Sequence, residues 1–328
     1  MNASPFVERL RDHASRVGAL PPVDGPAGGE PVAEEDGAAA TGAGSPALAV
    51  APNQLAFWQS PVARAAINRR ITGDPELGPE TYFARRHGPA IVAPLALSLR
   101  ASDAKLELAL VEAGSCERLV GLDDDQGRVD FATGRVPEPL REQVRFQLGT
   151  LEQFRAPEPL GAVVCRSFLH RRADLEAVLD RLAALLAPGG LVFVEDFVGP
   201  ARFQWTDTQL DAINRLLARL PEELLTDLAA TDGRRKRSVE RPDVDAWIAS
   251  NPNDAVRSDE ILPLLDARLQ RVEVCPYGGA IFHQLFSRIM GNFAGRPELV
   301  GVLMEVDALL TDAGALEADY VWGVWRRP

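Results

Sequence analysis

The side chains best placed for chemistry follow two apolar runs in the middle of the chain. His170 comes shortly after the run at residues 161–165, and Glu195 and Asp196 end the run at residues 191–194. An imidazole has a pKa near neutrality, so His170 and Asp196 are a candidate acid–base pair. A hydrogen-bonded histidine in the core is the alternative for a single residue of this type.

A second histidine, His283, follows the sequence Tyr277-Gly278-Gly279. On a helix it lies beside Phe282 and Phe286, so it is also a candidate core residue. No spacing of Cys, Asp and His indicates a metal site. Neither a G-x-S-x-G turn nor a Walker-type loop is present. We therefore predict no metal.

The elements that position these side chains form a strand, a helix and a strand. The helix has an apolar face at the spacing of helical turns. Its members are Leu175, Val178, Leu179, Leu182, Leu185 and Leu186. Asp174 is the expected N-cap, whose carboxylate accepts from free backbone amides, and Pro188-Gly189-Gly190 ends the helix. Two buried strands joined in this way predict a right-handed crossover in a parallel sheet.

Apolar runs on both sides extend the sheet. Further strands are predicted at residues 95–99, 118–122, 144–148, 270–276 and 319–325. Helices are predicted at residues 104–113, 281–292 and 297–313. Between the second and third strands the pattern fades, because glycines and prolines interrupt any long helix; these are Gly127, Gly134, Pro137 and Pro139.

The region after the fifth strand predicts a helical insertion. Thr206 and Gln209 have the spacing of a capping box, and an apolar stripe follows at Leu210, Ile213, Leu216, Leu217 and Leu220. Ser258 is the expected cap of a further helix at residues 261–269. The basic loop at residues 233–237 is a candidate phosphate or sulfate site, and a merely solvated loop is the more common case.

The sequence L-x-P-G-G at residues 186–190, followed at once by an apolar strand, resembles class I S-adenosylmethionine-dependent methyltransferases. Residues 197–205, FVGPARFQW, resemble a segment found after the fifth strand in one subgroup. The resemblance covers roughly residues 55–328. It implies an α/β fold: a Rossmann-like seven-stranded sheet with helices on both faces and an antiparallel last strand. It also implies an N-terminal helical lid at residues 55–82 and the helical insertion at about residues 202–268.

The resemblance places the cofactor loop at residues 96–107. Relatives have G-x-G-x-G here, and the glycines let the backbone approach the cofactor. Arg100, Ser102 and Ala104 stand at the three glycine positions. Each adds a Cβ where the backbone of relatives either adopts glycine-only angles or lies against the ligand, and Arg100 brings a positive charge towards the cofactor's sulfonium. The loop is therefore expected to be degenerate.

Other cofactor positions follow from the same alignment. Asp123 stands where the family's acid binds the ribose hydroxyls. Thr150 stands where many relatives have an acid near the adenine, and Arg166 where a small or aromatic residue is usual. On the substrate side, the residues that resemble pocket-lining positions are His170, Asp196, Gln204, Trp205, Tyr277 and His283.

The lid is expected to pack through Phe57, Trp58, Ile67 and Ile71. Its charged residues, either facing a pocket or merely solvated, are Arg64, Arg69, Arg70 and Asp74. The residues before it are expected to be a frayed tail, with one marginal helix at residues 5–20 and a linker at residues 21–52 that is too poor in apolar side chains to form a core. The folded domain is expected to start near residue 54.

The composition restricts the partners. The net charge of -12 argues against sequence-independent binding of nucleic acid. The sequence contains no run of 18 or more apolar residues that could span a membrane. Three scattered cysteines suit a reducing compartment, so a cytoplasmic protein is expected. The oligomeric state is left open.

Three functions remain compatible with the residues. The first is a non-methylating protein of methyltransferase fold that binds a small-molecule ligand or a protein partner. The second is an active methyltransferase for a small metabolite or sugar that holds S-adenosylmethionine with a rewired loop. The third is an enzyme of this fold that uses His170 and Asp196 for other acid–base chemistry. S-adenosylmethionine is thus the cofactor only if the protein is active, and the chain otherwise has none.

Overall fold

The computed structural model describes residues 57–328 as a mixed sheet of seven strands flanked by helices. The strands are β1 (Leu95–Leu99), β2 (Arg118–Asp123), β3 (Val144–Leu148), β4 (Leu160–Arg166), β5 (Leu186–Phe197), β6 (Gln270–Gly278) and β7 (Tyr320–Arg326). Their order is β3-β2-β1-β4-β5-β7-β6. β7 is antiparallel to both neighbours, and the other pairs are parallel. The predicted fold class is confirmed. The expectations for residues 5–20 and 21–52 lie outside the described residues.

Helices precede the first strand and connect most of the others. They are α1 (Pro61–Thr72), α2 (Pro79–Arg86), α3 (Lys105–Glu112), α4 (Gln126–Arg135), α5 (Leu175–Leu185), α6 (Asp207–Leu217), α7 (Val244–Ser250), α8 (Ile261–Asp266), α9 (Phe282–Phe286) and α10 (Pro297–Asp312). Short 3-10 turns at Leu169–Arg171, Ala201–Phe203 and Met290–Phe293 join some of them. Within residues 57–328 no helix is long and apolar enough to cross a membrane.

The central strands are apolar throughout because both faces of the sheet are covered. Phe193 of β5 packs on one face in a cluster with Phe83 and Leu110, while its neighbour Val192 packs on the other face with Leu182. A third cluster lies around α6, α9 and α10. The core therefore holds the carboxyl ends of β1, β4 and β5 at one edge.

One helix was not expected. α4 runs through Gly127 and Gly134, so the prediction of an interrupted helix was wrong. Asp125 caps α4, because its side chain accepts from the Arg128 amide at 2.9 Å. A cap contributes about 1 kcal/mol, and Val129 on the helix is buried. Together these offset the cost of two glycines, which is about 1 kcal/mol each.

Three local expectations about helix ends were wrong. Asp174 is at the N-cap of α5 but makes no capping bond; its carboxylate accepts from Arg172 at 2.9 and 3.0 Å instead. The Ser258 hydroxyl is buried without a partner in the described chain and caps no helix. The helix expected at residues 281–292 stops at Phe286, because Arg288 adopts a left-handed φ of 68°.

The other end signals were right. Thr206 and Gln209 form the predicted capping box at the start of α6. Gly189 has the positive φ of 78° expected after α5, although β5 begins earlier than predicted, at Leu186.

The lid residues pack as expected, but its charged side chains face outward or bind the core. Phe57 and Ile71 are buried, and Trp58 and Ile67 pack partly buried beside them. Arg70 binds Asp312. The other three charged residues, Arg64, Arg69 and Asp74, are exposed. Three of these four charges are therefore exposed and the fourth is ion-paired, as the merely solvated alternative expects.

Candidate functional site

The loop after β1 lies at the C-terminal edge of the sheet, where open α/β folds bind their ligands. Arg100 and Ala104 have φ angles of 70° and 61°, in the left-handed region that favours glycine. Such a conformation costs a residue with a Cβ about 1–2 kcal/mol. Ser102 has no positive φ, so of the two alternatives expected at this position it does not show the glycine-only angles. Its hydroxyl is buried and has no partner among residues 57–328.

Asp123, at the end of β2, is buried and fully engaged. One carboxylate oxygen, Oδ1, accepts from the Asp125 amide at 2.8 Å and from Arg128 Nη2 at 2.7 Å. The other oxygen, Oδ2, accepts from the Ala101 amide at 2.9 Å and from Arg128 Nε at 2.9 Å. A carboxylate has about four acceptor positions. All of them are filled by the protein itself.

The Arg100 side chain reaches from the end of β1 to the end of β4. Its Nη1 donates to the Ser167 carbonyl oxygen at 2.8 Å, and Ser167 also has a left-handed φ, of 49°. Burial, followed by the positive charges of Arg171 and Arg128, lowers the pKa of the Arg100 guanidinium to about 10. A partly desolvated cation therefore lies over the edge of the sheet.

Arg166, at the end of β4, is held by three carboxylates. It binds Glu195 at 3.0 Å, Glu80 at 3.1 Å and Asp103 at 3.3 Å. Although burial lowers it, these carboxylates hold the pKa of Arg166 well above its ordinary value. Arg166 thus ties the lid helix α2 and the loop after β1 to the end of β5.

Thr150 lies just after β3, next to the end of β2. The Gly149 amide donates to the Asp123 carbonyl oxygen at 2.8 Å, and the Thr150 carbonyl accepts from the Phe154 amide at 3.0 Å. The structure thus brings Thr150 to the same edge as Asp123 and Arg100, where it lies partly exposed.

His170 lies between two carboxylates. Its Nδ1 is 2.5 Å from Asp196 Oδ1, and its Nε2 is 3.4 Å from Asp254 Oδ1. Burial lowers the pKa of His170, but Asp196 and Asp254 outweigh this effect and raise it above 6.5. A protonated imidazole with both nitrogens engaged is a poor general base. The geometry favours a buried ionic bridge for this residue.

Asp196 supports that bridge. Its Oδ2 accepts from the amides of Phe168 and Leu169 at 3.0 and 2.7 Å, and its Oδ1 accepts from the Phe197 amide at 2.8 Å. These bonds hold the 3-10 turn that carries His170 against the end of β5.

Asp254 belongs to the insertion and is positioned by Arg202. The Arg202 guanidinium donates to the carbonyl oxygens of Pro252 and Asp254 at 2.8 and 3.1 Å, and its amide donates to Ala255. Arg202 and the adjacent Phe203 both have left-handed φ angles, 53° and 55°. Strained backbone of this kind persists only where the surroundings fix it. Here the contacts of Arg202 hold the insertion loop over the sheet edge.

His283 lies inside a group of aromatic rings. Ring centroids of Tyr320, Phe197, Phe203 and Trp205 lie 5.3, 5.8, 6.0 and 6.3 Å from the imidazole. Burial lowers the pKa of His283 to about 4, with Lys236 adding to the effect. The neutral ring has a buried Nδ1 without a partner in the described residues.

Tyr277 and Tyr320 stack on each other beside these rings, with centroids 5.7 Å apart. Burial raises the pKa of both phenols well above the ordinary value, yet both side chains keep part of their surface accessible. Both tyrosines are therefore desolvated but retain some contact with solvent. Gln204 points elsewhere, because its amide donates to the carbonyl oxygens of Arg202 and Pro242 at 3.2 and 3.0 Å.

The structure therefore brings most of the predicted site residues to one edge. Arg100, Asp123 and Thr150 lie over β1 and β2, and His170 and Asp196 over β4 and β5. Trp205, Tyr277 and His283 line the aromatic side. Gln204 binds the insertion backbone and is not turned to this wall. Ala104 is fully buried.

Sequence reasoning missed Arg128, Asp254, Arg171 and Tyr320. Arg128 is on the first turn of α4, five residues after Asp123, and only the cap at Asp125 would have signalled that helix. Asp254 lies in the insertion, far from His170 along the chain. No local pattern connects them.

The basic loop at residues 233–237 is accounted for by its own contacts. Arg235 and Arg237 bind Glu222, and Lys236 donates to the carbonyl oxygens of Gln284 and Ser287 at the end of α9. These contacts do not support the phosphate-site alternative. In residues 57–328 no group of three or more His, Cys, Asp or Glu side chains is arranged to hold a metal ion.

Comparison with known proteins agrees with this architecture. The family model described as "Methyltransferase domain" matches residues 104–194. No curated protein sequence matches the chain.

Solved structures with a similar fold include several methyltransferases. An S-adenosylmethionine-dependent methyltransferase from Mesorhizobium loti is 16% identical, with a TM-score of 0.45, over 76% of this chain and 99% of that one. The N-methyltransferase NodS from Bradyrhizobium japonicum WM9, in complex with S-adenosyl-L-homocysteine, is 13% identical, with a TM-score of 0.41, over 82% and 100%. The cyclase SpnF is 13% identical, with a TM-score of 0.43, over 76% and 79%.

The sequence match covers the unit from the start of α3 to β5, which contains the loop end, β2, β3, β4 and the crossover helix α5. The sheet has seven strands and an antiparallel last strand, as the resemblance implied, and that strand lies between β5 and β6. Residues 104–194 of this chain are therefore similar to the methyltransferase domain family.

Proposed function

We propose that this chain is a non-methylating member of the class I S-adenosylmethionine-dependent methyltransferase family, which acts as a binding or accessory protein through the C-terminal edge of its sheet. The observation that carries the proposal is the state of Asp123. In the family this acid receives the ribose hydroxyls, whereas here its four acceptor positions are taken by Arg128 and two backbone amides. A cofactor would have to displace a bidentate guanidinium, which is among the stronger charge-assisted contacts.

The charge of the loop supports the same conclusion. The Arg100 guanidinium lies across the edge between β1 and β4, where the cofactor's methionine end would lie in the family. The sulfonium is a cation, so the two charges would meet in a partly dry site where their repulsion is only weakly screened. Arg128 blocks the acid that would receive the ribose, and Arg100 opposes the methionine end. The two features therefore act on both ends of the cofactor.

The aromatic group around His283 has features of a ligand site. Tyr277 and Tyr320 have phenol groups with no hydrogen-bond partner in the described residues, beside a neutral His283. Apolar walls with a few polar groups are typical of small-molecule pockets. A small ligand bound there, or a protein segment, is the partner that we propose.

Calorimetry with S-adenosylmethionine and S-adenosyl-L-homocysteine tests the proposal. The unmodified protein should give no saturable heat with either compound at millimolar concentration. A variant with Arg100→Gly, Ser102→Gly, Ala104→Gly and Arg128→Ala should bind measurably, because it frees Asp123 and reopens the loop. Arg135→Ala, on the same helix as Arg128 and exposed, is the matched control and should not bind.

Micromolar binding by the unmodified protein would contradict the proposal and favour the active methyltransferase. Failure of the opened variant as well would mean that Thr150 and Arg166 also block the site. Product formation with an acid–base pH profile that depends on His170 would instead favour the third function.

A further inference from the structure

We infer that the C-terminal edge of the sheet holds a small anionic ligand, bearing a phosphate or a carboxylate, between Arg100 and Arg171. The inference rests on the proposed function, because a bound sulfonium cofactor would occupy the same edge of the sheet.

Arg100 and Arg171, which carry the two guanidinium groups, follow the ends of β1 and β4. Arg100 reaches the Ser167 carbonyl oxygen at 2.8 Å. Arg171 ends the 3-10 turn that begins two residues after Ser167, and that turn is fixed by the bonds from the Phe168 and Leu169 amides to Asp196. After burial, the positive charge of Arg171 is the largest cause of the lowered pKa of Arg100. The two cations therefore face one region above β1 and β4.

The two guanidinium groups lack anionic partners within residues 57–328. Among residues 57–328, neither Arg100 nor Arg171 forms a salt bridge, and Arg171 Nε is buried with no hydrogen-bond partner. The carboxylates nearby are already engaged: Asp123 by Arg128, and Asp196 and Asp254 by His170. Buried charges in proteins are normally paired, so two neighbouring cations with free donors leave a place for an anion.

The backbone at Arg100 and Ser167 is strained. Arg100 and Ser167 are both in the left-handed region, with φ of 70° and 49°, and they meet through the Arg100 bond to Ser167. Strain at two touching residues is a mark of a functional site. It directs the long Arg100 side chain across the sheet edge, whereas a relaxed loop would leave it free to reach solvent. Guanidinium groups suit phosphate and carboxylate because their donors match the oxygens of both anions.

Titration with inorganic phosphate and with succinate, at ionic strength held constant with sodium chloride, tests the inference by calorimetry and by the shift in melting temperature. At least one anion should bind saturably, and the comparison distinguishes a phosphate site from a carboxylate site. Arg100→Gln and Arg171→Gln should each weaken binding about tenfold or more, the loss of one charge-assisted contact.

Arg172→Gln is the matched control. This substitution removes the same charge from the adjacent position, but Arg172 is paired with Glu152 and Asp174. Because exposed charges are screened by salt, Arg172→Gln should change the affinity for the anion less than twofold. Circular dichroism of all three variants verifies folding. Because the Arg171 side chain makes no hydrogen bond in the described residues, Arg171→Gln remains informative if Arg100→Gln fails to fold.

No saturable binding of either anion, or an equal loss in all three variants, would overturn the inference. The cofactor titration separates this result from the proposed function. Absence of both S-adenosylmethionine and anion binding would leave the non-methylating assignment standing and remove the anion site alone. Micromolar S-adenosylmethionine binding would remove the basis for both the non-methylating assignment and the anion site.

Discussion

Replacing His170 by alanine should destabilise the protein strongly at acidic pH and less at alkaline pH. The substitution leaves Asp196 and Asp254 without their shared cation. Breaking a buried ion pair from one side costs about 3–5 kcal/mol. Asp196 keeps three amide donors, which still stabilise its charge, so we expect a loss in the free energy of unfolding of about 2–4 kcal/mol.

The pH dependence follows from the raised pKa. The folded-state pKa of His170 lies above the unfolded value of 6.5. The stabilisation by the charged bridge is therefore fully present below that unfolded value and is lost as the pH rises through the folded pKa. Urea unfolding of the unmodified protein and of His170→Ala, at about pH 6 and about pH 9, should show the larger difference at the lower pH.

His87→Ala is the control, because His87 is buried to 7% exposure against 8% for His170. His87 contacts Glu273 at 2.9 Å, but burial lowers its pKa below 6.5. Its titration therefore works against folding as the pH falls, and the cost of His87→Ala should shrink at the lower pH. A cost of His170→Ala that is small, or independent of pH, would refute the ionic bridge and return His170 to the candidates for a general base.

Three further predictions concern the supports of the site. Arg202→Ala should release the loop at residues 251–255, which loses three carbonyl contacts, and limited proteolysis should cut there first; unchanged digestion would contradict the role of Arg202. Arg166→Met should lower the free energy of unfolding by about 3–5 kcal/mol in urea titrations, since it leaves three partly buried carboxylates without their cation, and a stabilised variant would contradict this. Ala104→Gly should change it by less than about 1 kcal/mol, because relief of the left-handed backbone is offset by the loss of a buried methyl group and a more flexible unfolded chain.

Much of the fold could be read from local patterns. The apolar strands, the L-x-P-G-G end of α5 and the capping box at Thr206 and Gln209 are properties of neighbouring residues, and the structure contains all of them. The replaced glycines could also be read directly, and two of these positions, Arg100 and Ala104, have the backbone that their alignment predicted. Local steric and hydrogen-bonding rules suffice for such features.

Tertiary structure decided what the polar side chains do. Arg166 meets Glu80 across 86 positions of sequence, and His170 meets Asp254 from the insertion, so neither partner could be inferred from spacing. Asp123 keeps the residue type of a ribose ligand, yet Arg128 fills it once α4 forms. A residue's type sets which bonds it can make, but the competing donors brought beside it by folding determine which bonds it does make.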